Sequence, residues 1–109
     1  MKVNNLFNPL PTLGDDEHFQ TLLKNENVHI ERIVSLGHST ADGQWYDQVQ
    51  DEWVVLLTGA ATLAFAEGKT VDMKAGDHIH LPAGCKHKVA STTEKEHSVW
   101  LAVHFPPST

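Results

Sequence analysis

The sequence is poor in several residue types, and each shortage excludes a class of protein. Its 109 residues include one cysteine, Cys85, so no disulfide can form within the chain. Eight lysines and arginines stand against fourteen acidic residues, and the net charge of −6 leaves no basic surface for a phosphate backbone. No apolar run approaches the roughly 20 residues that span a bilayer, and the N-terminus lacks the apolar stretch of a secretory signal. We therefore expect a cytoplasmic protein that binds neither nucleic acid nor membrane.

The chain has the length of one domain, which at this size buries over about 60% of its unfolded surface. We expect a single domain over residues 1–109, with a core over about residues 28–106 and an N-terminal extension over residues 1–27. In the extension, acids from Asp15 onward precede Phe19, Leu22 and Leu23 at helical spacing. This pattern predicts a short helix from about Asp15 to Lys24.

From Val28 onward the pattern changes to the alternation that is typical of β-strands, with Val28, Ile30 and Val34 on one face. Turn signals recur at short, fairly regular intervals: Gly37, Asp42-Gly43, Gly59, Glu67-Gly68, Ala75-Gly76, Pro82 to Gly84 and the polar stretch Ser91 to His97. No helical crossover separates these strands, so antiparallel pairing is expected. The sequence predicts an all-β sandwich or closed barrel.

The most specific pattern runs from Gly76 to His87: a glycine, five residues, Pro82-x-Gly84, two residues and a histidine. The Ala83-Gly84 step supplies a tight turn that fixes where His87 points. This spacing resembles the second sequence motif of the cupins, although the asparagine that usually follows is replaced by Ser91. The resemblance implies an antiparallel double-stranded β-helix, the jelly-roll barrel of the cupins.

The first cupin motif is matched less completely, at the place where one hairpin separates it from Gly76. Glu52, six residues and Gly59 fit it, but Tyr46 and Gln48 occupy the positions of its His-x-His pair. The resemblance covers about residues 32 to 105 and indicates a small single-domain cupin of the conserved-barrel (cupin 2) type.

Residues an even number apart on a strand project from the same face, so Tyr46, Gln48 and Glu52 are expected on one side of the strand, continued by Val54 and Leu56. The opposite face then carries three apolar side chains, Trp53, Val55 and Leu57. An exposed apolar row would be adhesive, and either the N-terminal segment or a second subunit could cover it. A homodimer is expected, as the resemblance also implies.

The resemblance brings His87 to the polar end of this row, and the implied metal ligands are Gln48, Glu52 and His87, with His104 in reserve. One imidazole with carboxylate and amide oxygens suits Mn²⁺ or Fe²⁺ better than Zn²⁺. The loss of two imidazoles should make binding modest, so the metal is expected to be retained weakly through purification and the site could be found empty. No organic cofactor site is predicted. His78 and His80 alternate with Ile79 and Leu81 and are expected on the outside.

The sequence leaves three functions open. The first is a cupin that binds a divalent metal, a small polar organic ligand or both, with Tyr46 or His87 moving a proton. The second is a metal-free module that binds or senses a small molecule. The third is a cupin-type isomerase or epimerase that uses His87 and Tyr46. Each residue also has a structural explanation, because Gln48 and Glu52 lie in a polar stretch that a solvated strand would explain.

Overall fold

The structure is a computed structural model that describes residues 1–107. These residues form eight β-strands and no helix. The strands are β1 (His18–Lys24), β2 (His29–Ser35), β3 (Asp51–Thr58), β4 (Ala60–Phe65), β5 (Thr70–Lys74), β6 (His78–Leu81), β7 (His87–Thr92) and β8 (Ser98–Phe105). Residues 1–107 contain no helical segment with the length and hydropathy of a membrane span.

The strands form two sheets, one of five strands in the order β1-β2-β8-β3-β6 and one of three strands in the order β5-β4-β7. Every ladder between these strands is antiparallel. The last strand, β8, lies in the middle of the large sheet between β2 and β3. The predicted all-β antiparallel architecture is confirmed.

The predicted helix from Asp15 to Lys24 is wrong, because this segment contains the edge strand β1. Phe19 pairs with Ile33 and Leu23 pairs with Ile30, with a register shift between Thr21 and Leu23. Such an extra residue moves the residues beyond it to the opposite face of the sheet. Phe19, Leu22 and Leu23 therefore have a helix-like spacing although they belong to a bulged strand. Pairing with β2 imposes the extended conformation of this strand.

The core lies between the two sheets. Its buried apolar side chains include Val54, Leu56, Trp100 and Ala102 from the large sheet and Leu63 and Met73 from the small one. The prediction that Val54 and Leu56 point inward is confirmed. The polar residues Glu31, Glu52 and His104 of the large sheet line a cavity together with the core residues Val54, Leu63 and Trp100.

The outer face of β2 is covered by the N-terminal segment. Val34 is fully buried there, and the guanidinium Nη1 of Arg32 donates hydrogen bonds of 3.1 Å to the backbone carbonyls of Leu6 and Pro9. The alternate residues of β2, which include Glu31 and Ile33, point to the inside. The alternating apolar residues of β2, such as Ile30 and Val34, therefore lie on the face that points away from the interior.

Candidate functional site

One cavity of about 60 Å³ lies between the sheets, and most of its polar lining comes from residues near strand ends. The residues that line it are Glu17, Phe19, Glu31, Ile33, Tyr46, Gln48, Glu52, Val54, Leu63, Leu81, His87, Val89, Trp100 and His104. All the residues predicted for the site are among them. The structure thus brings Tyr46, Gln48, Glu52, His87 and the reserve residue His104 together, while their role as ligands stays a prediction.

His87 is held in one tautomer by the turn that precedes it. Its Nδ1 lies 2.8 Å from the carbonyl oxygen of Cys85, which can only accept a hydrogen bond, so Nδ1 carries the proton in the neutral ring. The other nitrogen, Nε2, lies 3.8 Å from Oε1 of Glu52. Neutral His87 therefore presents a lone pair beside a buried carboxylate, ready to accept a proton or to bind a metal.

The turn itself is tied to the strand that carries Glu52. Asp51 accepts a 2.9 Å hydrogen bond from the backbone amide of Ala83, and the amide of Gly84 donates to the carbonyl of Gln48 at 2.9 Å. The amide of Ala83, assisted by His80, lowers the pKa of Asp51. Gly84 has a φ of 78°, a conformation that favours glycine. These bonds fix the turn before His87 relative to β3.

Tyr46 is joined to His87 by backbone and ring. The amide of Tyr46 donates to the carbonyl of His87 at 2.7 Å and the amide of His87 returns a 3.1 Å bond, while their rings stack with centroids 5.5 Å apart. Burial raises the pKa of the Tyr46 phenol, and the nearby charge of Glu17 raises it further. Tyr46 therefore stays protonated near neutral pH and can donate a hydrogen bond into the cavity.

Glu52 is a buried carboxylate whose charge is costly unless a positive group lies nearby. Burial raises its pKa, and the charges of His104 and then His87 oppose this shift. Directly opposite on β8 lies His104, paired with Glu52 in the ladder. An uncompensated carboxylate in such a position favours a proton or a cation close to it.

The sequence analysis missed three residues here: Glu17, His29 and Glu31. Glu17 and Glu31 line the cavity, and one ligand atom each from His29, Glu31 and His104 lie within 4.8 Å of one another. The spacing His29-x-Glu31 was a usable signal, because these residues share one face of β2. The alternating apolar residues of β2 lie on the other face of the strand, and they gave the stronger sequence pattern.

His104 and Glu31 form the shortest contact between ionisable groups in this cavity. The Nε2 atom of His104 lies 3.0 Å from Oε1 of Glu31, and this hydrogen bond is the main cause that raises the pKa of His104. The histidines of β6 are different, because His78 and His80 are exposed and do not line the cavity. Their expected outside position is confirmed.

The charge of the lining is strongly acidic. Three carboxylates, Glu17, Glu31 and Glu52, face two imidazoles, and no lysine or arginine of the described chain lines the cavity. Trp100 also lines the cavity, and its Nε1 is buried without a hydrogen-bond partner among residues 1–107. The cavity is therefore suited to cations and to hydrogen-bond donors such as hydroxyl groups.

Comparisons with known proteins agree with this architecture. A family model described as the cupin domain matches residues 33–104. A structure from Ralstonia eutropha JMP134, named a "putative mannose-6-phosphate isomerase", is 43% identical over 97% of this chain and 99% of its own, with a TM-score of 0.91. No curated protein matches the chain.

More distant structures share the fold. A cupin 2 conserved barrel domain protein from Salinispora arenicola CNS-205 is 22% identical, covers 96% of this chain and 88% of its own, and has a TM-score of 0.71. An RmlC-like cupin with a double-stranded β-helix from Methanocaldococcus jannaschii is 16% identical over 97% and 91% of the two chains, with a TM-score of 0.72. With its family match and this barrel, the chain belongs to the cupins.

Proposed function

We propose that this cupin binds a divalent cation in its cavity together with a small polar organic molecule. The observation that carries the proposal is the convergence of three carboxylates and two imidazoles in a lining without lysine or arginine. Carboxylate oxygens and imidazole nitrogens are the ligands that divalent metals such as Mn²⁺, Fe²⁺ and Zn²⁺ take from proteins. The donor set therefore fits a metal ion, and the excess negative charge favours one.

Two groups of ligands in the lining could hold the ion. The group implied by the cupin motifs is Gln48, Glu52 and His87, in which Glu52 and His87 already lie 3.8 Å apart. This oxygen-rich group supports Mn²⁺ or Fe²⁺. The other group uses His104 with Glu31. Both groups border the same cavity, so either one places the ion beside the organic molecule.

The chain's own residues supply the rest of the chemistry. A bound cation would polarise a carbonyl or carboxylate oxygen of the organic molecule. His87 can accept a proton at Nε2, since its Nδ1 is committed to the Cys85 carbonyl. Tyr46 donates a hydrogen bond from a phenol that stays protonated. The apolar walls from Val54, Leu63 and Trp100 limit water at the inner end of the cavity.

A second candidate function is metal-free isomerisation of a hydroxy-carbonyl compound. His87 and Tyr46 would act as base and acid, since their rings stack and Glu52 lies beside His87. The name of the Ralstonia relative favours isomerisation as the reaction. A sugar phosphate is a poor fit to the cavity, however, because three carboxylates would repel it and no basic side chain of the described residues lines the site.

The test begins with elemental analysis of protein purified without chelator and without a metal-affinity step. Titration calorimetry with Mn²⁺, Fe²⁺ under reducing conditions, and Zn²⁺ then measures binding directly. We expect about one ion per chain to bind, and Glu52→Gln to weaken binding because it removes a charge and keeps an oxygen. If no ion binds the wild type, the metal-dependent function is wrong. Exchange of substrate protons with deuterated water in metal-free protein would then support the isomerase.

A further inference from the structure

A compact group of metal-ligating side chains lies on β2 and β8, next to the position that the cupin motifs imply. His29 and His104 are direct partners across the β2–β8 ladder, and their ring centroids are 5.5 Å apart. Glu31 shares the face of His29, and its Oε1 lies 3.0 Å from Nε2 of His104. One ligand atom from each of the three residues lies within 4.8 Å of the other two.

We propose that the cation is bound by His29, Glu31 and His104, and that it is Zn²⁺. This rests on the proposed function and specifies its ion and its position. Two imidazoles and one carboxylate are a ligand set that zinc uses in catalytic sites, where the fourth position stays open. The motif position offers one imidazole, one carboxylate and an amide, and the neutral amide oxygen of Gln48 is the weakest donor among them. The β2–β8 group is thus the stronger one.

The neighbours of this group support the assignment. The hydroxyl of Thr21 on β1 lies 2.9 Å from Nε2 of His29, a contact that orients the ring through one nitrogen. Ligand histidines are commonly held in this way by a second hydrogen-bonding partner. Glu52 lies opposite His104 in the next ladder and adds negative charge on the other side. A cation bound there would lie near the carboxylates of both Glu31 and Glu52.

The geometry requires a small adjustment. Bonds of about 2.0–2.2 Å in a tetrahedron place ligand atoms about 3.5 Å apart. The three atoms must therefore move closer together than their present spread of up to 4.8 Å. His29 and Glu31 are partly exposed, and rotation of these two side chains can supply the movement. His104 is buried and serves as the fixed ligand.

This position leaves the proton-transferring residues His87 and Tyr46 outside the ligand set. The ligands lie on the large sheet, whereas His87 begins β7 in the small sheet and carries Tyr46 against it. Nε2 of His87 then stays free to accept a proton from a molecule bound between the sheets. The loss of the His-x-His pair would thus be compensated by histidines from another pair of strands.

The experiment measures Zn²⁺ binding by titration calorimetry in wild type, His29→Ala, Glu31→Gln and His87→Ala. His97→Ala is the matched control, since His97 precedes β8 at the end opposite to His104. Titration with Co²⁺ gives a second readout, because its visible absorption is more intense in four-coordinate than in six-coordinate sites. Circular dichroism checks that each variant is folded.

We expect His29→Ala and Glu31→Gln to weaken Zn²⁺ binding at least about tenfold, since loss of a second-shell partner alone costs roughly 10- to 100-fold. His97→Ala should bind within about threefold of wild type, and His87→Ala should weaken Zn²⁺ binding less than His29→Ala does. Loss of binding in His87→Ala with retention in His29→Ala would overturn this inference and leave the proposed function intact. Equal loss in both would also overturn it, as one site would then span both groups. A wild type that binds no divalent ion would overturn both proposals.

Discussion

Asp51 accepts a hydrogen bond of 2.9 Å from the backbone amide of Ala83, so the first residue of β3 holds the turn that aims His87 into the cavity. Its other oxygen lies 2.8 Å from Nε2 of His80. Asp51 does not line the cavity, yet both cupin motifs meet through its side chain. It acts as a positioning residue for the neighbouring Glu52 and for His87.

Replacing Asp51 with Ala should lower the thermal stability and shift the ring NMR signals of His87, because the turn loses its link to β3. Asp77→Ala is the matched control: Asp77 also accepts a backbone hydrogen bond, from Lys74 at 2.9 Å, but in the turn between β5 and β6. It should destabilise the fold without changing the signals of His87. Unchanged signals in Asp51→Ala would show that the turn is held by other contacts.

The same carboxylate predicts a dependence of stability on pH. The Ala83 amide and then His80 hold the pKa of Asp51 below its ordinary value of about 3.9. A carboxyl whose pKa is lowered by folding stabilises the protein above that value, and the stabilisation disappears as the pH falls through the folded pKa. Urea unfolding should therefore show wild type more stable than Asp51→Asn at pH 7, with the difference shrinking as the pH falls through the lowered pKa of Asp51. A constant difference at all pH values would contradict this.

Much of the site followed from local spacing. The expected strand spacing of Tyr46 and Gln48 is wrong, because β3 begins at Asp51 and both residues reach the cavity from the segment before it. The Gly76 to His87 pattern does fix a turn through backbone geometry, and a strand period of two places Glu52, Val54 and Leu56 on one side of β3. Such relations depend on neighbours in the chain, and a sequence displays them directly. Val54 and Leu56 were assigned to the core for the same reason, and the structure confirms them.

The missed features depend on contacts between distant segments. β1 is a strand because β2 pairs with it, and its bulge gives Phe19 and Leu23 a spacing that resembles a helix. Glu31 was overlooked because the N-terminal segment buries the opposite face of β2, through contacts such as Arg32 with Leu6. Alternation shows that a strand has two faces, but it does not tell which one the rest of the chain leaves for a cavity.

Gly59 is predicted to be intolerant of any side chain. Its φ is +88°, and a Cβ placed on it would lie 2.2 Å from Oγ of Ser98 and 2.6 Å from its Cα. Gly59→Ala should therefore cost more than the roughly 1–2 kcal/mol of a strained backbone alone. Gly68→Ala is the control, since its φ is +102° with nothing within 4 Å of the added Cβ. Chemical denaturation of both variants measures the difference, and equal losses would disprove the clash.

The ring of Trp100 should be important for the stability of the ligand-free protein, whereas its N–H should be dispensable for it. Its buried Nε1 lacks a partner among the described residues, and a desolvated donor costs about 1–3 kcal/mol. Trp100→Phe removes this donor but leaves a smaller ring, so the relief of the unpaired N–H should offset part of the cavity cost, and the loss should be clearly smaller than in Trp100→Ala. Trp100→Ala should cost about 3–5 kcal/mol. A large loss in Trp100→Phe would show that the N–H already makes a stabilising bond.

The last prediction concerns the outer face of the large sheet, where we propose that two copies of the chain associate. Trp53, Val55 and Leu57 are partly exposed there. Among the described residues, the N-terminal contacts of Arg32 lie at β2, two strands away from β3. An apolar row of this kind is stabilised when another surface covers it.

Light scattering at micromolar concentration should give a dimer of the 12.1 kDa chain, and Val55→Glu should convert it to a monomer, because a buried unpaired carboxylate is costly. Val71→Glu is the control, since Val71 is 37% exposed on β5 of the other sheet, and it should leave the dimer intact. A monomeric wild type would remove the role proposed for the row. A dimer that persists in Val55→Glu would place the interface elsewhere, and the exposed edge strand β1, with Phe19 and Leu23 half exposed, would be the next surface to test.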